Sequence, residues 1–170
     1  MLTVVLAPLL MKPLLLIDYD GTVCFDRFWR SVEPDVFAQI QYHLFGADRH
    51  LLQAWMRGKM SSEGINQFLA ERINVEYSKL WQIFVEDCQS MYINQATLTK
   101  INKLRKKFRT ILLTDNMDCF SRFTVPALKL ADYFDEILNS ADHGRMKDDK
   151  AGQLFVAVIN ERGANIGVSW

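Results

Sequence analysis

A chain of 170 residues, 49% apolar and 24% charged, has ordinary globular usage and the length for one core with a small inserted subdomain. Twenty Lys and Arg balance twenty Asp and Glu, so no global charge excess draws it to nucleic acid or to an anionic membrane. Cys24, Cys88 and Cys119 have neither metal-ligand nor redox spacing, which points to buried thiols in a reducing cytoplasm.

The chain opens on MLTVVLAPLL, which is apolar but has no cationic leader and no small-residue cleavage site. Pro8, Lys12 and Pro13 break it as a spanning helix. Residues 1–10 therefore read as a dispensable extension, with Met11 as a candidate start. Residues 14–18, LLLID, form a short apolar run ending in an acid, the signature of a buried strand in a parallel sheet. Helical periodicity follows. Val36, Phe37, Ile40 and Leu44 share one face, with Gly46 at the stop. Leu51, Leu52, Trp55 and Met56 outline a second helix closed by Gly58. Ser61 or Ser62 caps a third, with Glu63 in its first turn. Leu80, Ile83, Phe84, Asp87 and Met91 outline a fourth. Leu98, Ile101, Leu104 and Phe108 mark a fifth, leading into a second strand at 110–114, TILLT. A helix near 120–130, a strand at 136–138, a loop at 140–147, a helix at about 149–162 with Phe155, Val158 and Ile159 inward, and a strand at 165–169 complete the expectation.

One helix normally suffices for a β-α-β crossover, so the four helices after the first strand read as an insertion. It leaves the sheet at the carboxyl ends of the strands, where open α/β folds bind ligands, and is placed to act as a lid. The expected fold is α/β: a three-layer Rossmann-like parallel sheet built from residues 11–24 and 94–170, with residues 25–93 as an inserted helical cap.

Chemistry concentrates in Asp18-Tyr19-Asp20-Gly21-Thr22. Two carboxylates at i and i+2 leave an extended chain on the same side, and Gly21 permits a tight turn after them. A DxDGT segment after an apolar strand resembles the first motif of the haloacid dehalogenase superfamily. That resemblance implies that Asp18 attacks phosphorus to form an aspartyl-phosphate, and that Asp20 protonates the leaving oxygen and then activates water. It also implies Mg²⁺, ligated by the Asp18 side chain and the Asp20 backbone carbonyl, an ion suited to carboxylate, carbonyl and water.

Thr114, at the end of the second strand, resembles the second motif, where a hydroxyl meets a phosphate oxygen. Asp115 follows as part of the same phosphate-binding position, although many relatives carry Asn there. Its carboxylate must turn away from phosphate, and Asn116 can serve the neighbourhood instead. The third motif is a cation that neutralises phosphate and nucleophile. Lys147 in GRMKDD fits it, with Lys150 and then Arg145 as the alternatives, and Asp148 and Asp149 stand at the next helix's N-terminus. The fourth motif, one or two further acids completing the Mg²⁺ shell, has no counterpart, because no acid follows Glu161. The expectation is a core truncated at its C-terminal side. The placement of the insertion resembles the C1-type cap subclass, as does the hairpin WMRGKMSSEGINQFLAE.

The basic run LRKKFR at 104–109 reads as a solvated helix face, since Leu104 and Phe108 belong to the apolar stripe. His43, His50 and His143 lack metal-ligand spacing, and only His143, shortly before Lys147, is placed to touch a substrate. Cys24 reads as a small buried residue. Phe28 and Trp29, just past the catalytic loop, are placed to face substrate. The expected function is a Mg²⁺-dependent phosphomonoesterase acting on a small phosphorylated metabolite. The alternatives are a non-catalytic remnant that at most binds phosphate, and a metal-independent 2-haloacid dehalogenase, against which Asp20 argues because a halide needs no proton.

Overall fold

The computed structural model describes residues 12–149. The expectations for residues 1–10, Lys150, the helix at about 149–162 and the strand at 165–169 lie outside the described residues, entirely or in all but their first position.

Three parallel strands form one sheet in the order β1-β2-β3. They are β1 (Leu14–Ile17), β2 (Arg109–Thr114) and β3 (Glu136–Asn139). Central β2, RTILLT, is buried from Thr110 onward, as its continuous apolar run requires when both sides are covered by strands. Ile17 pairs with Leu112, and Leu112 with Ile137. This register decides where chemistry can occur. It places Asp18, the Thr114–Asn116 segment and Ser140 together past the carboxyl ends of adjacent strands.

Between β1 and β2 come α1 (Pro34–Gln41), α2 (Arg49–Met56), α3 (Ser62–Arg72), α4 (Tyr77–Gln89) and α5 (Gln95–Arg105). Pro34 starts α1, where its fixed φ is preorganised for a helix. A π-helical turn, Tyr42–Ala47, carries the chain from α1 toward α2. Ser61 caps α3 by accepting from the Gly64 N–H at 3.2 Å, and Asn94 caps α5 by accepting from Ala96. The first four helices share an apolar cluster centred on Trp29, Ile40, Trp55, Ile65, Leu69 and Phe84. A separate cluster of Tyr19, Leu112, Phe120, Leu130 and Phe134 packs on the sheet.

The structure shortens several expected helices. Helix α4 ends at Gln89, and Met91 is buried beyond it against the sheet-side cluster. Helix α5 ends at Arg105, before Phe108. The segment near 120–130 is no single helix: a π-helical turn (Phe120–Thr124) passes to a three-residue helical turn, α6 (Val125–Ala127), and Lys129 then turns left-handed at φ 51°. Pro126 supplies no N–H to continue a ladder, which accounts for the fragmentation. The expected loop at 140–147 begins as a short helix, α7 (Ser140–His143), closed by Gly144 at φ 67°. No described helix is long and apolar enough to cross a membrane.

Candidate active site at the carboxyl ends of the strands

The loop after β1 is wound around one carbonyl. The Tyr19 carbonyl accepts from the backbone N–H groups of Thr22, Val23 and Cys24, and the Gly21 N–H donates back to Cys24 at 2.8 Å. Closing this loop needs φ 73° at residue 21, a conformation that glycine adopts without a Cβ penalty. Tyr19 anchors it from inside. Its ring is fully buried, 4.7 Å from the Phe120 ring, and its hydroxyl meets the Met91 sulfur at 3.7 Å. Burial pushes the Tyr19 phenol far up, so it stays neutral. Alternation then leaves Asp18 and Asp20 to the site. The Tyr19 N–H donates to Asp18 Oδ1 at 2.8 Å and fixes that carboxylate's rotation.

The end of β2 contributes three neighbours in three different ways. Thr114 is fully buried, and its Oγ1 has no hydrogen-bond partner among the described residues. Asp115 turns its carboxylate to the backbone, with Oδ1 accepting from the Lys147 N–H at 2.8 Å. Asn116, also buried, donates from Nδ2 to Asp20 Oδ2 at 3.0 Å and accepts at Oδ1 from the Met117 N–H. Asp115 thus contacts the Lys147 backbone, and Asn116 contacts Asp20.

The segment after β3 delivers the cation. Lys147 Nζ lies 2.6 Å from Asp18 Oδ2. Its loop is pinned by Asp149, which accepts from the Met146 N–H at 3.0 Å and pairs with Arg57, just past α2, at 2.5 Å. Ser140 makes a second tie. It accepts from the Asn116 N–H, and its Oγ stands 2.7 Å from the Met56 carbonyl. Ser140 and Arg57 carry no local sequence signal; both act through partners more than twenty residues away. Exposed Arg145 forms no side-chain contact with the two acids among the described residues, and exposed His143 does not line the site. Cys24 is buried with its thiol donating to the Tyr92 carbonyl at 3.4 Å, and burial pushes its pKa up, so it is not poised as a nucleophile.

Asp20 is exposed as a residue at the mouth of a cleft, but the protein packed near its carboxyl displaces part of its water. This desolvation, helped by the charge of Asp18 and opposed by Arg27 and Lys147, pushes it up to about 6. Asp115 is also raised by burial, against the pull of Lys147. Asp20 and Asp115 lie at the edge of a cavity of about 250 Å³ whose walls include Phe28, Trp29, Leu52, Met56 and Met117. Phe28 and Trp29 thus line the space beside the two acids.

Among the described residues, the donors that this site would offer a metal are oxygens, from the Asp18 carboxylate and the Asp20 main chain. No cluster of three or more His, Cys, Asp or Glu able to hold a metal occurs among the described residues. A sparse, hard-oxygen set with an accessible carboxylate fits Mg²⁺, which keeps several waters and takes one or two protein carboxylates plus phosphate.

No protein-family model matches the chain, and no curated protein matches it in sequence. Solved structures do match. A HAD-family enzyme from Bacteroides thetaiotaomicron in complex with magnesium is 19% identical, with a TM-score of 0.65 over 91% of this chain and 79% of that one. A predicted HAD-like family hydrolase from Porphyromonas gingivalis gives 19% identity and a TM-score of 0.65 over 91% and 78% of the two chains. A dehalogenase gives 15% identity and a TM-score of 0.57 over 91% and 73%. With its parallel three-stranded sheet, flanking helices and acids at the strand ends, the chain has the HAD-like, Rossmann-like α/β fold.

Proposed function

We propose that this chain is a Mg²⁺-dependent phosphohydrolase acting on a small phosphorylated metabolite, with residues 25–93 as the cap over its site. One observation carries the reading: Lys147 Nζ stands 2.6 Å from the Asp18 carboxylate, while Asp20, two residues on, is held by Asn116 at 3.0 Å. A nucleophile beside a fixed cation and a separately held acid is the division of labour that phosphoryl transfer through a carboxylate needs.

In this mechanism Asp18 attacks phosphorus in line with the ester oxygen and becomes an aspartyl-phosphate. Lys147 lies beside the nucleophile, where its ammonium offsets the repulsion between carboxylate and phosphate. Asp20, raised to about 6 and so partly protonated near neutrality, gives its proton to the leaving alcohol. As a carboxylate it then takes a proton from the water that cleaves the acyl-phosphate. Thr114 supplies a donor to a phosphate oxygen, consistent with its unpartnered hydroxyl. Mg²⁺, held by Asp18 and the Asp20 main chain, would add charge neutralisation at the phosphate. The Bacteroides neighbour crystallised with magnesium and inorganic phosphate supports this chemistry.

Hydrolysis of p-nitrophenyl phosphate by the full chain, with and without Mg²⁺ and beside Asp18→Asn, tests it. Mg²⁺-dependent turnover lost in Asp18→Asn is the expected result. Turnover unchanged in that variant would overturn the nucleophile. Halide release from a 2-haloacid in place of phosphate release would transfer Asp18 to dehalogenation, the chemistry named by one structural neighbour.

A further inference from the structure

The cavity beside Asp20 is lined mainly by carbon and sulfur, and the indole donors of Trp29 and Trp55 are already engaged. The cavity of about 250 Å³ runs from Asp20 and Asp115 between Phe28, Trp29, Leu52, Met56 and Met117. Trp29 is almost fully buried in a left-handed conformation at φ 56°, rare for an aromatic residue, so the surrounding packing holds it in a strained state. Its indole N–H donates to Asn66 Oδ1 at 3.0 Å, and Asn66 in turn donates to the Ser62 carbonyl at 2.9 Å. The neighbouring Trp55 ring, 5.9 Å away, gives its N–H to Asp118 at 2.7 Å. Trp29 lines the cavity with its single side-chain donor satisfied elsewhere. Met56 and Met117 add polarizable thioethers that adapt to flat apolar groups. Asp26, Arg27 and Gln41 also line the cavity.

Resting on the phosphohydrolase reading, we infer that the preferred substrate is a phosphate monoester of a compact, largely apolar or aromatic alcohol, and not a sugar or polyol phosphate. A polyol would set most of its hydroxyl groups against a mainly apolar lining in which only a few side chains can pair with them, and a site rejects groups it leaves unpaired. The volume sets the size. It lies below the range typical of drug-sized ligands, so one ring with a short tether fits.

The test compares kcat/KM for 2-phenylethyl phosphate with that for glucose 6-phosphate and glycerol 3-phosphate, using the full chain with Mg²⁺. All three are esters of primary alcohols, so the comparison reads the pocket and not an activated leaving group. The aromatic ester is expected to lead by about tenfold or more, a usual range for apolar-pocket discrimination. Leu52→Gln, which places an amide in the wall, is expected to shrink that ratio. Equal or better use of the sugar phosphates, still abolished by Asp18→Asn, overturns the inference and leaves the phosphohydrolase reading standing. If no ester is turned over, that reading fails, and calorimetric titration with 2-phenylethanol, glycerol and glucose decides the inference alone. Tighter binding of the aromatic alcohol supports it; no binding, or binding no tighter than that of the polyols, overturns it.

Discussion

Asn116 Nδ2 donates a 3.0 Å hydrogen bond to Asp20 Oδ2, joining the ends of two adjacent strands. The contact continues outward. The Asn116 N–H donates to Ser140 Oγ, which stands 2.7 Å from the Met56 carbonyl at the end of α2. The orientation of the proposed general acid is thereby tied to the position of a helix from the insertion. Asn116→Ala is expected to lower kcat by about tenfold to a hundredfold, the lower part of the general acid–base contribution, while KM changes little. Steady-state kinetics checks this; a rise in KM with kcat intact would make Asn116 a binding residue instead.

The Asp20 carboxyl sets the pH dependence. Burial raises it from 3.8 to about 6, so it is protonated below that value and loses its proton above it. As the acid of the first step, it gives an alkaline limb beginning near pH 6. Arg27 pulls the value down, so Arg27→Ala should move the limb to higher pH. The linkage has a definite sign. A carboxyl raised in the folded state stabilises the fold below its unfolded value, and that contribution disappears as pH rises through the folded value. Asp20→Asn should therefore raise Tm at pH 8 and give no gain at pH 4. Carboxyl NMR titration of the metal-free chain locates the value directly; titration near 4 would refute it.

Much of the core was legible because its signals are local. The runs LLLI and TILLT read as strands with an acid just after each; TILLT is buried as expected, whereas LLLI, paired only with β2 among the described strands, is half-buried. Lys147, expected from its place after the third strand, lies 2.6 Å from Asp18. The partners of Asp20 and Asp115 were not legible in this way. Whether Asp115 or Asn116 reaches Asp20 depends on how one loop rotates after β2, and that is fixed by Ser140 and by the Lys147 backbone, each more than twenty residues away. The left-handed Trp29 was equally hidden, since no residue-level preference favours that conformation for an aromatic. The broken segment after Phe120 was readable in principle from Pro126, but its apolar spacing suggested continuity.

Lys147 Nζ is the charge partner of Asp18, the proposed nucleophile, at 2.6 Å. Lys147→Met removes the charge and keeps the stem. It is expected to raise KM and to lower kcat by on the order of a hundredfold or more, the scale of losing one transition-state donor. Lys150→Met is the comparison variant, and a larger loss there would move the role to Lys150.

Arg122 joins the insertion to the segment after β2, pairing with Glu63 at 2.6 Å and with Asp118 at 2.7 Å. This pairing holds the Glu63 carboxyl down at about 2, from an ordinary 4.5. A depressed carboxylate stabilises the fold above its unfolded value, and that contribution fades as pH falls toward the folded value. The Tm difference between wild type and Arg122→Ala should accordingly be present at pH 6 and shrink by pH 3. Because these side chains are about two-fifths exposed, salt should also reduce it. A difference independent of both pH and salt would assign Arg122 a packing role alone.

Gly58 brings the backbone just after α2 against α7. A Cβ built there would lie 2.3 Å from the Ala141 carbonyl oxygen, and the residue's φ is 64°. Neither the backbone oxygen nor the left-handed turn can give way cheaply. Gly58→Ala is expected to cost about 2 kcal/mol or more, combining the left-handed penalty with displacement of α2 from α7. That displacement should also break the contact between Ser140 and the Met56 carbonyl and lower kcat. Gly46→Ala is the control: its added Cβ would meet only the Tyr42 ring edge at 4.0 Å, and in a helical turn alanine is worth about 0.5–1 kcal/mol over glycine. Chemical denaturation of both variants checks the pair. Equal stability would mean that α2 and α7 are not locked together in solution, and the tie from Met56 through Ser140 and Asn116 to Asp20 would lose its anchor.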